Sequence, residues 1–299
     1  PMVLGHEASG VVKEVGEGVT DLQPGDHVVL VFVPSCGECI PCKEGRPNLC
    51  EKGAVSNTKG TLLNGEIRMH KDGEEILHHL GLSAFSEHVV VSKNSLVKVD
   101  KTIPFEQVAL FGCAIITGVG AVVNTANIKM GSTVAIVGLG GIGLSALLGA
   151  VACGASRIIA IDINDTKLDK AKEFGATDVF NAKDPNVVEL VKEATNGGVD
   201  YAFETAGVVK AMEVAYAITK RGGTTVTTGL PHPEHHFSFP HVSLTAEEKT
   251  IKGSYVGSCV PNRDIPRFMQ LFRQGRLPVN KLVAKFISLD EINEGFDLL

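Results

Sequence analysis

Hydrophobic and polar residues follow one pattern in the first part of the chain and another after about residue 117. Up to about residue 100 the apolar runs are short, as in "VVKEV" and "HVVLVF", and turn sequences such as "QPGD" separate them. Alternation with a period of two is typical of strands that bury one face. No long helical periodicity interrupts this part, so the pattern predicts a β domain.

From about residue 117 the pattern becomes an alternation of strands and helices. The predicted strands are "TVAIVG", "RIIAID", "TDVFN", "VDYAFETAG" and "TTVTTG", and a helical stretch that ends at or near glycine follows each of the first four. This alternation predicts a parallel sheet with helices on both faces, an α/β fold. After about residue 257 we expect a helix around "RDIPRFMQLFRQG" and a strand around "KLVAKFIS".

Length and composition narrow the class of protein. A chain of 299 residues with 44% hydrophobic residues is long enough for two domains with sizeable cores. The net charge of -6 argues against a nucleic acid or an anionic membrane surface as partner. The uncharged run from Gly131 to Ser156 is better explained by a strand, a glycine turn and a buried helix than by a membrane span. Because the chain begins at Pro1, in what looks like the middle of a domain, we expect an N-terminally incomplete stretch.

A glycine-rich turn carries the first candidate site. Gly138, Gly140 and Gly143 have the G-x-G-x-x-G spacing between a predicted strand and a helix, and Asp162 ends the next strand nineteen residues after Gly143. We predict an NAD site in which Gly138, Gly140, Gly141, Ile142 and Gly143 form the phosphate-binding turn. Asp162 would bind the ribose hydroxyls and repel the 2′-phosphate of NADP. The alternative is that the glycines only form a strand–helix turn.

Four cysteines within fifteen residues form the second candidate site. They are Cys36, Cys39, Cys42 and Cys50, with the spacing C-x2-C-x2-C-x7-C. Four thiolates can surround a structural zinc completely and leave no open position. The rivals are an iron–sulfur cluster, whose usual spacing differs, a nucleic-acid-binding zinc ribbon, for which no basic face is evident, and four unligated thiols. Seven cysteines in this arrangement fit a reducing cytoplasm better than a disulfide framework.

Two further groups carry weaker signals. His6 and Glu7 lie in "GHE", and Cys113 lies in "LFGCAIITGVGA", but isolated residues of these types are more often structural than metal-ligating. The tract "HPEHH" could bind a metal, although solvated loop histidines are more common.

Together these motifs resemble a known family. "GHEASGVVKEVGEGV", the cysteine cluster, "GCAIITGVGA" and "GLGGIG…D" have the order and spacing of zinc-containing, medium-chain alcohol dehydrogenases across essentially all 299 residues. The resemblance implies a GroES-like β domain over residues 1–114, a Rossmann domain over 115–257 and a return to the first domain over 258–299. It also implies homodimers or homotetramers formed through the Rossmann sheet.

The resemblance assigns roles to individual residues. His6 and Cys113 would bind a catalytic zinc, with Glu7 beside the metal, and the four cysteines would bind a structural zinc. Thr117 would lie near the nicotinamide and Lys167 near the adenosine ribose. The substrate pocket would be lined by Phe32 and Phe85.

The implied reaction is oxidation of a small alcohol to an aldehyde or ketone, with hydride transfer to NAD. The chain departs from the family at one point, because the family's first zinc-ligating cysteine precedes "GHE" and the five residues before His6 contain no Cys, Ser or Thr. We therefore expect this stretch alone to be impaired. The alternatives are the glutathione-dependent formaldehyde dehydrogenases of the same family and a non-catalytic NAD-binding relative.

Overall fold

The computed structural model describes residues 1–298. Its strands are β1 (Met2–Val3), β2 (Ala8–Val11), β3 (His27–Leu30), β4 (Met69–Lys71), β5 (Glu74–His78), β6 (Leu96–Lys98), β7 (Thr133–Val137), β8 (Arg157–Asp162), β9 (Asp178–Asn181), β10 (Val199–Glu204), β11 (Thr219–Thr227) and β12 (Thr250–Gly253). Its α-helices are α1 (Ile40–Lys43), α2 (Glu51–Lys59), α3 (Phe105–Val108), α4 (Ala114–Gly120), α5 (Gly141–Ala152), α6 (Asp165–Glu173), α7 (Val187–Ala194), α8 (Val209–Ile218), α9 (His241–Ala246), α10 (Pro261–Arg273) and α11 (Ile292–Asp297).

Shorter helical segments complete the secondary structure. The 3-10 turns are Pro47–Leu49, His79–Gly81, Lys93–Ser95, Ala109–Gly112, Val256–Ser258, Val279–Leu282 and Leu289–Glu291, and a π-helical segment, Ala121–Ala126, follows α4. The chain forms two compact units. The first contains Pro1–Cys113, Val260–Met269 and the chain from Pro278 onward, and the second contains Ala114–Cys259 and Gln270–Leu277. The last residue of the predicted return segment, Leu299, lies outside the described residues.

The first unit contains two three-stranded sheets, β1-β5-β4 and β2-β3-β6. In the second of these, β3 runs antiparallel to both neighbours, and Ala8 of β2 lies opposite Leu30 of β3. The side chains of Val12, Val28, Leu30 and Leu82 form a buried apolar cluster. The alternating pattern of the first hundred residues therefore produces the predicted sheet structure.

The second unit is built on a six-stranded parallel sheet with the order β12-β11-β10-β7-β8-β9. The prediction of a parallel α/β sheet is confirmed. The sheet extends from β7 toward β8 and β9 on one side and toward β10 to β12 on the other, so the topology reverses at β7. In doubly wound sheets, ligands bind outside the carboxyl ends of the strands at such a reversal. The glycine turn begins directly after β7.

Two local predictions were wrong, and one helix was not predicted. A strand was expected over "VVKEV", residues 11–15, but the observed strand β2 ends at Val11, the first residue of that segment. The strand expected at "KLVAKFIS" is absent from the described residues, where a 3-10 turn over Val279–Leu282 begins that segment. Helix α2 was missed because "EKGAVSNTK" has no apolar stripe. Its start is fixed instead by Cys50, whose sulfur accepts a hydrogen bond from the Gly53 N–H.

The described residues contain no single helix that is long and apolar enough to cross a membrane. One broken pair, Phe105–Gly112 with Ala114–Ala126, reaches that length and composition together.

Candidate zinc and dinucleotide sites

The four cysteines of the sequence cluster converge in the first unit. Their sulfur atoms all lie within 4.8 Å of one another, and the sulfurs of Cys39 and Cys50 are 3.9 Å apart. Two of the cysteines are positioned by the start of a short helix: Cys39 precedes α1, and Cys50 precedes α2. We call this cluster and the segment 36–50 around it the cysteine lobe.

Backbone N–H groups point at the sulfurs of Cys36 and Cys50. Cys36 accepts from the N–H groups of Glu38 and Cys39, and Cys50 accepts from those of Cys36 and Gly53, at 3.2–3.4 Å. These donors lower the pKa of the Cys36 thiol to about 6. Burial has the opposite effect on Cys42 and raises the pKa of its thiol to about 12 in the absence of a metal. The lobe therefore stabilises the Cys36 thiolate by itself, whereas the Cys42 thiolate needs a cation to stabilise it.

This donor set fits zinc. Thiolate sulfurs at about 2.3 Å from a tetrahedral zinc lie about 3.8 Å apart. The 3.9 Å between Cys39 and Cys50 is close to that value. N–H donors to ligating sulfurs are a common outer shell of such sites.

His6 lies at the end of the antiparallel pair formed by β2 and β3. Since Ala8 is opposite Leu30, the register carried two residues further places His6 opposite Phe32. Their rings meet edge to face with centroids 5.4 Å apart, and a second ring, that of His79, lies 5.5 Å from His6. Burial lowers the pKa of the His6 imidazole below its ordinary value, and His79 lowers it further. A neutral imidazole is the form that binds metals.

Gly5 explains how Phe85 reaches this region. The φ of Gly5 is +96°, and a Cβ there would lie 2.6 Å from the backbone nitrogen of Phe85 and 2.9 Å from its ring. The ring of Phe85 is therefore packed on the backbone next to His6. The ring of Phe85 also contacts that of Phe296, with centroids 5.9 Å apart.

Cys113 lies at the same end of the β2–β3 pair as His6. The 3-10 turn Ala109–Gly112 ends directly before it, and a Cβ on Gly112 would clash with the Leu30 carbonyl oxygen. This close approach places Gly112, and therefore the backbone of Cys113, beside Leu30 at the end of β3, the residue that pairs with Ala8. Glu7 is exposed. Among residues 1–298, the cysteine lobe is the one place where three or more donors lie within ligating distance, so His6, Glu7 and Cys113 do not form such a group.

The predicted glycine turn has the expected shape in the second unit. Gly138 has a φ of +99°, which a glycine adopts without strain, and a Cβ on Gly143 would overlap with the Gly138 carbonyl oxygen. At Gly140, by contrast, a Cβ would meet nothing within 4 Å. This open space lies at the N-terminus of α5, whose first turn carries no acidic residue. The space and the N–H groups fit the pyrophosphate of a dinucleotide.

Asp162 contacts the same turn. Its Oδ2 accepts a hydrogen bond from the Leu139 N–H at 2.7 Å, and its Oδ1 accepts from the Asn164 N–H at 3.0 Å. Lys167 is exposed on α6, and Thr117 is buried on α4. The carboxylate still has acceptor capacity for ribose hydroxyls, because each oxygen has two lone pairs.

Sequence reasoning missed two residues in these regions. His79 is in ring contact with His6, and its buried Nδ1 has no hydrogen-bond partner among the described residues. Glu204 is buried at the end of β10. The histidines of "HPEHH" are exposed, with the rings of His232 and His235 5.7 Å apart, and no metal-ligating group forms there among the described residues.

Comparison with known proteins defines the family. The family model described as "Alcohol dehydrogenase GroES-like domain" matches residues 1–101, and that described as "Zinc-binding dehydrogenase" matches residues 141–274. An alcohol dehydrogenase zinc-binding domain protein from Burkholderia ambifaria has a solved structure with 37% identity and a TM-score of 0.95. The alignment covers 99% of this chain and 80% of that one. The chain belongs to the zinc-containing, medium-chain alcohol dehydrogenase family.

Other solved structures agree with this assignment. A benzyl alcohol dehydrogenase from Acinetobacter calcoaceticus has 37% identity and a TM-score of 0.92, and the alcohol dehydrogenase TADH from Thermus sp. ATN1 has 30% and 0.83. Both alignments cover 99% of this chain and 80% of the other. Membership of this alcohol dehydrogenase family confirms the fold of a GroES-like domain with a Rossmann-type sheet, and it indicates a zinc-binding oxidoreductase that acts on small molecules.

Proposed function

We propose that this chain catalyses the NAD-dependent oxidation of an alcohol to an aldehyde or ketone. The observation that carries the proposal is the open space at Gly140 beside the Asp162 carboxylate, which suits NAD. The position of His6 and Cys113 at one end of the β2–β3 pair supports a catalytic zinc in the first unit.

When bound, zinc supplies a Lewis acid and nicotinamide supplies a hydride acceptor. The chain's own residues would bind and orient these two groups. His6 offers a neutral nitrogen, Cys113 offers a sulfur, and Glu7 is proposed to lie beside them. Gly138, Gly140, Gly141, Ile142 and Gly143 bind the pyrophosphate, Asp162 and Lys167 bind the adenosine ribose, and Thr117 contacts the nicotinamide.

An aromatic primary alcohol is our proposed substrate. The ring centroids of Phe32 and His6 are 5.4 Å apart in an edge-to-face contact, and Phe85 is packed on Gly5, the residue before His6. Aromatic rings prefer such edge-to-face or offset contacts with other aromatic rings. The name of the benzyl alcohol dehydrogenase neighbour agrees with this choice.

The two zinc sites should differ in affinity. The cysteine lobe has four converging sulfurs, whereas the ligand atoms of His6, Glu7 and Cys113 do not converge to the same degree among the described residues. Because a catalytic zinc usually has three protein ligands, we propose that the 299-residue chain holds its structural zinc tightly and its catalytic zinc weakly. Its turnover would then be impaired unless zinc is supplied.

We also propose a homodimer or homotetramer in the cytoplasm. Strand β12 forms one edge of the six-stranded sheet, and an edge strand offers unpaired N–H and C=O groups to a second copy. The thiols of the cysteine lobe suit a reducing compartment.

The test is NADH formation from benzyl alcohol by the protein supplied with excess zinc, compared with the variants His6→Ala and Cys113→Ser. We expect alcohol-dependent NADH formation that both variants lose while NADH binding is retained. Binding of NADH without turnover on any alcohol would instead support the non-catalytic relative. Turnover on formaldehyde that requires glutathione would support the second branch of the family.

A further inference from the structure

Glu204 is a buried carboxylate at the carboxyl end of β10. Its side chain is only 2% exposed. Oε1 accepts hydrogen bonds from the N–H groups of Ala206 at 2.8 Å and Gly207 at 2.6 Å. Oε2 accepts from the Thr227 hydroxyl at 2.6 Å, at the end of the neighbouring strand β11. The carboxylate therefore joins the turn after β10 to the end of β11.

The turn that Glu204 organises lies against the glycine turn after β7. Thr205 Oγ1 donates to the Gly138 carbonyl oxygen at 2.6 Å, and the Thr205 N–H donates to the Val137 carbonyl oxygen at 2.9 Å. A Cβ on Gly138 would lie 2.8 Å from the Cβ of Ala206 and 2.9 Å from its nitrogen. The position of residues 205–207 thus limits where the backbone of Gly138 can lie.

The chemistry of the site argues against a role in packing alone. A buried carboxylate is costly unless donors compensate it, and a hydrophobic residue of similar volume would avoid that cost. Here the compensating donors are two successive N–H groups of one turn and a hydroxyl of another strand. No apolar side chain could hold these three groups, so the carboxylate fixes a backbone shape.

We propose that Glu204 is a positioning residue for the dinucleotide: it holds the turn 205–207 against Gly138 so that the glycine turn keeps the shape that receives the pyrophosphate. This inference rests on the proposed binding of NAD. It adds a residue that acts through the backbone and does not itself touch the cofactor.

Asp200 provides a matched control on the same strand. It lies near the amino end of β10, where its Oδ2 accepts a hydrogen bond from the Thr133 N–H at 2.8 Å and its Oδ1 pairs with Lys220. Asp200 therefore also joins neighbouring strands of the sheet. It differs from Glu204 in lying at the end of the strand that is remote from the glycine turn.

The experiment compares Glu204→Ala, Glu204→Gln and Asp200→Ala in the zinc-loaded protein. The dissociation constant of NADH is measured by fluorescence titration, with melting temperature and the KM values for NAD and benzyl alcohol. We expect Glu204→Ala to weaken NADH binding at least about tenfold and to raise the KM for NAD, with the KM for the alcohol unchanged. Glu204→Gln, which keeps an oxygen for the turn, should remain within about threefold of the wild type. Asp200→Ala should lower the melting temperature and leave NADH affinity unchanged.

Glu204→Asp covers the case in which the alanine variant does not fold. This variant keeps the carboxylate but shortens the side chain by one methylene. We expect its NADH binding to be at least about threefold weaker. The inference is overturned if Glu204→Ala and Glu204→Asp bind NADH as tightly as the wild type does, or if Asp200→Ala weakens NADH binding as much as Glu204→Ala does. If the wild type does not bind NADH at all, the proposed function fails as well, so the two failures are distinguishable.

Discussion

The ring of Phe32 lies edge-on to the ring of His6, with centroids 5.4 Å apart and an angle of 78° between the planes. The contact follows from the antiparallel register of β2 and β3, which continues from the pair Ala8–Leu30. An aromatic side chain is thereby fixed beside a proposed zinc ligand. This relationship gives the first prediction.

Replacement of Phe32 by alanine should raise the KM for benzyl alcohol about three- to tenfold, because an aromatic pair contributes about 0.5–1.5 kcal/mol. The KM for ethanol should change much less. Steady-state kinetics with both alcohols measures the difference. Phe105→Ala is the control, since it removes a ring paired with a different histidine, His27, at 4.6 Å. An equal rise in KM for both alcohols would argue that Phe32 supports the fold and does not contact the substrate.

Gly140 and Gly143 should respond differently to substitution. Gly140→Val should fold normally, because its φ of -74° and ψ of -170° suit any residue and no atom lies near its Cβ position. It should weaken NADH binding at least about tenfold, because the valine side chain would fill the space proposed for the pyrophosphate. Gly143→Ala should instead lower stability by about 1–3 kcal/mol, because its Cβ overlaps with the Gly138 carbonyl oxygen. Urea unfolding and NADH titration distinguish the two, and unchanged NADH affinity in Gly140→Val would contradict the proposed site.

Removing one sulfur from the cysteine lobe should remove one zinc. Cys42→Ser should lose one equivalent of tightly bound zinc by elemental analysis and should lower the melting temperature of the first unit, because metal binding contributes to folding. NADH affinity should persist, since the glycine turn belongs to the other unit. Cys153→Ser, at a half-buried cysteine outside the lobe, should keep all its zinc. Iron in place of zinc in the purified protein would contradict the assignment.

Asp162 should control the choice between NAD and NADP. Asp162→Asn should lower kcat/KM for NAD at least about tenfold, because a hydrogen bond to a charged group contributes about 1.5–3 kcal/mol. It should raise kcat/KM for NADP, because the charge that repels the 2′-phosphate is gone. The control Asp165→Asn changes an exposed carboxylate that accepts from Asn181 at 2.7 Å. A cofactor preference that is the same in both variants would count against Asp162 as the selector.

The sequence predicts best what depends on local periodicity and spacing. The strands of the parallel sheet and the convergence of the cysteine lobe follow from such patterns, because each pattern is typical of one structure without information from the rest of the chain. Helix α2 lacks an apolar stripe and depends on a sulfur acceptor at Cys50, so periodicity could not reveal it. The contact of His79 with His6 depends on tertiary packing.

Glu204 shows a second limit of prediction from sequence. A glutamate at the end of a predicted strand is expected to face solvent. Its burial depends on donors from the next turn and from β11, and these are separated from it by two to twenty-three residues. No local pattern encodes that combination. The close packing of Gly138 against Ala206 is equally non-local.

The close spacing of the sulfur atoms in the cysteine lobe also affects how the protein responds to oxidation during storage. Sulfur atoms as close as the 3.9 Å between Cys39 and Cys50 need little movement to become cross-linked once no metal separates them. Loss of zinc in air would then end in oxidation, and later addition of metal would not reverse it without a reductant. Zinc bound in this lobe would therefore protect its own ligands, and the shelf life of the protein should depend on keeping that metal bound.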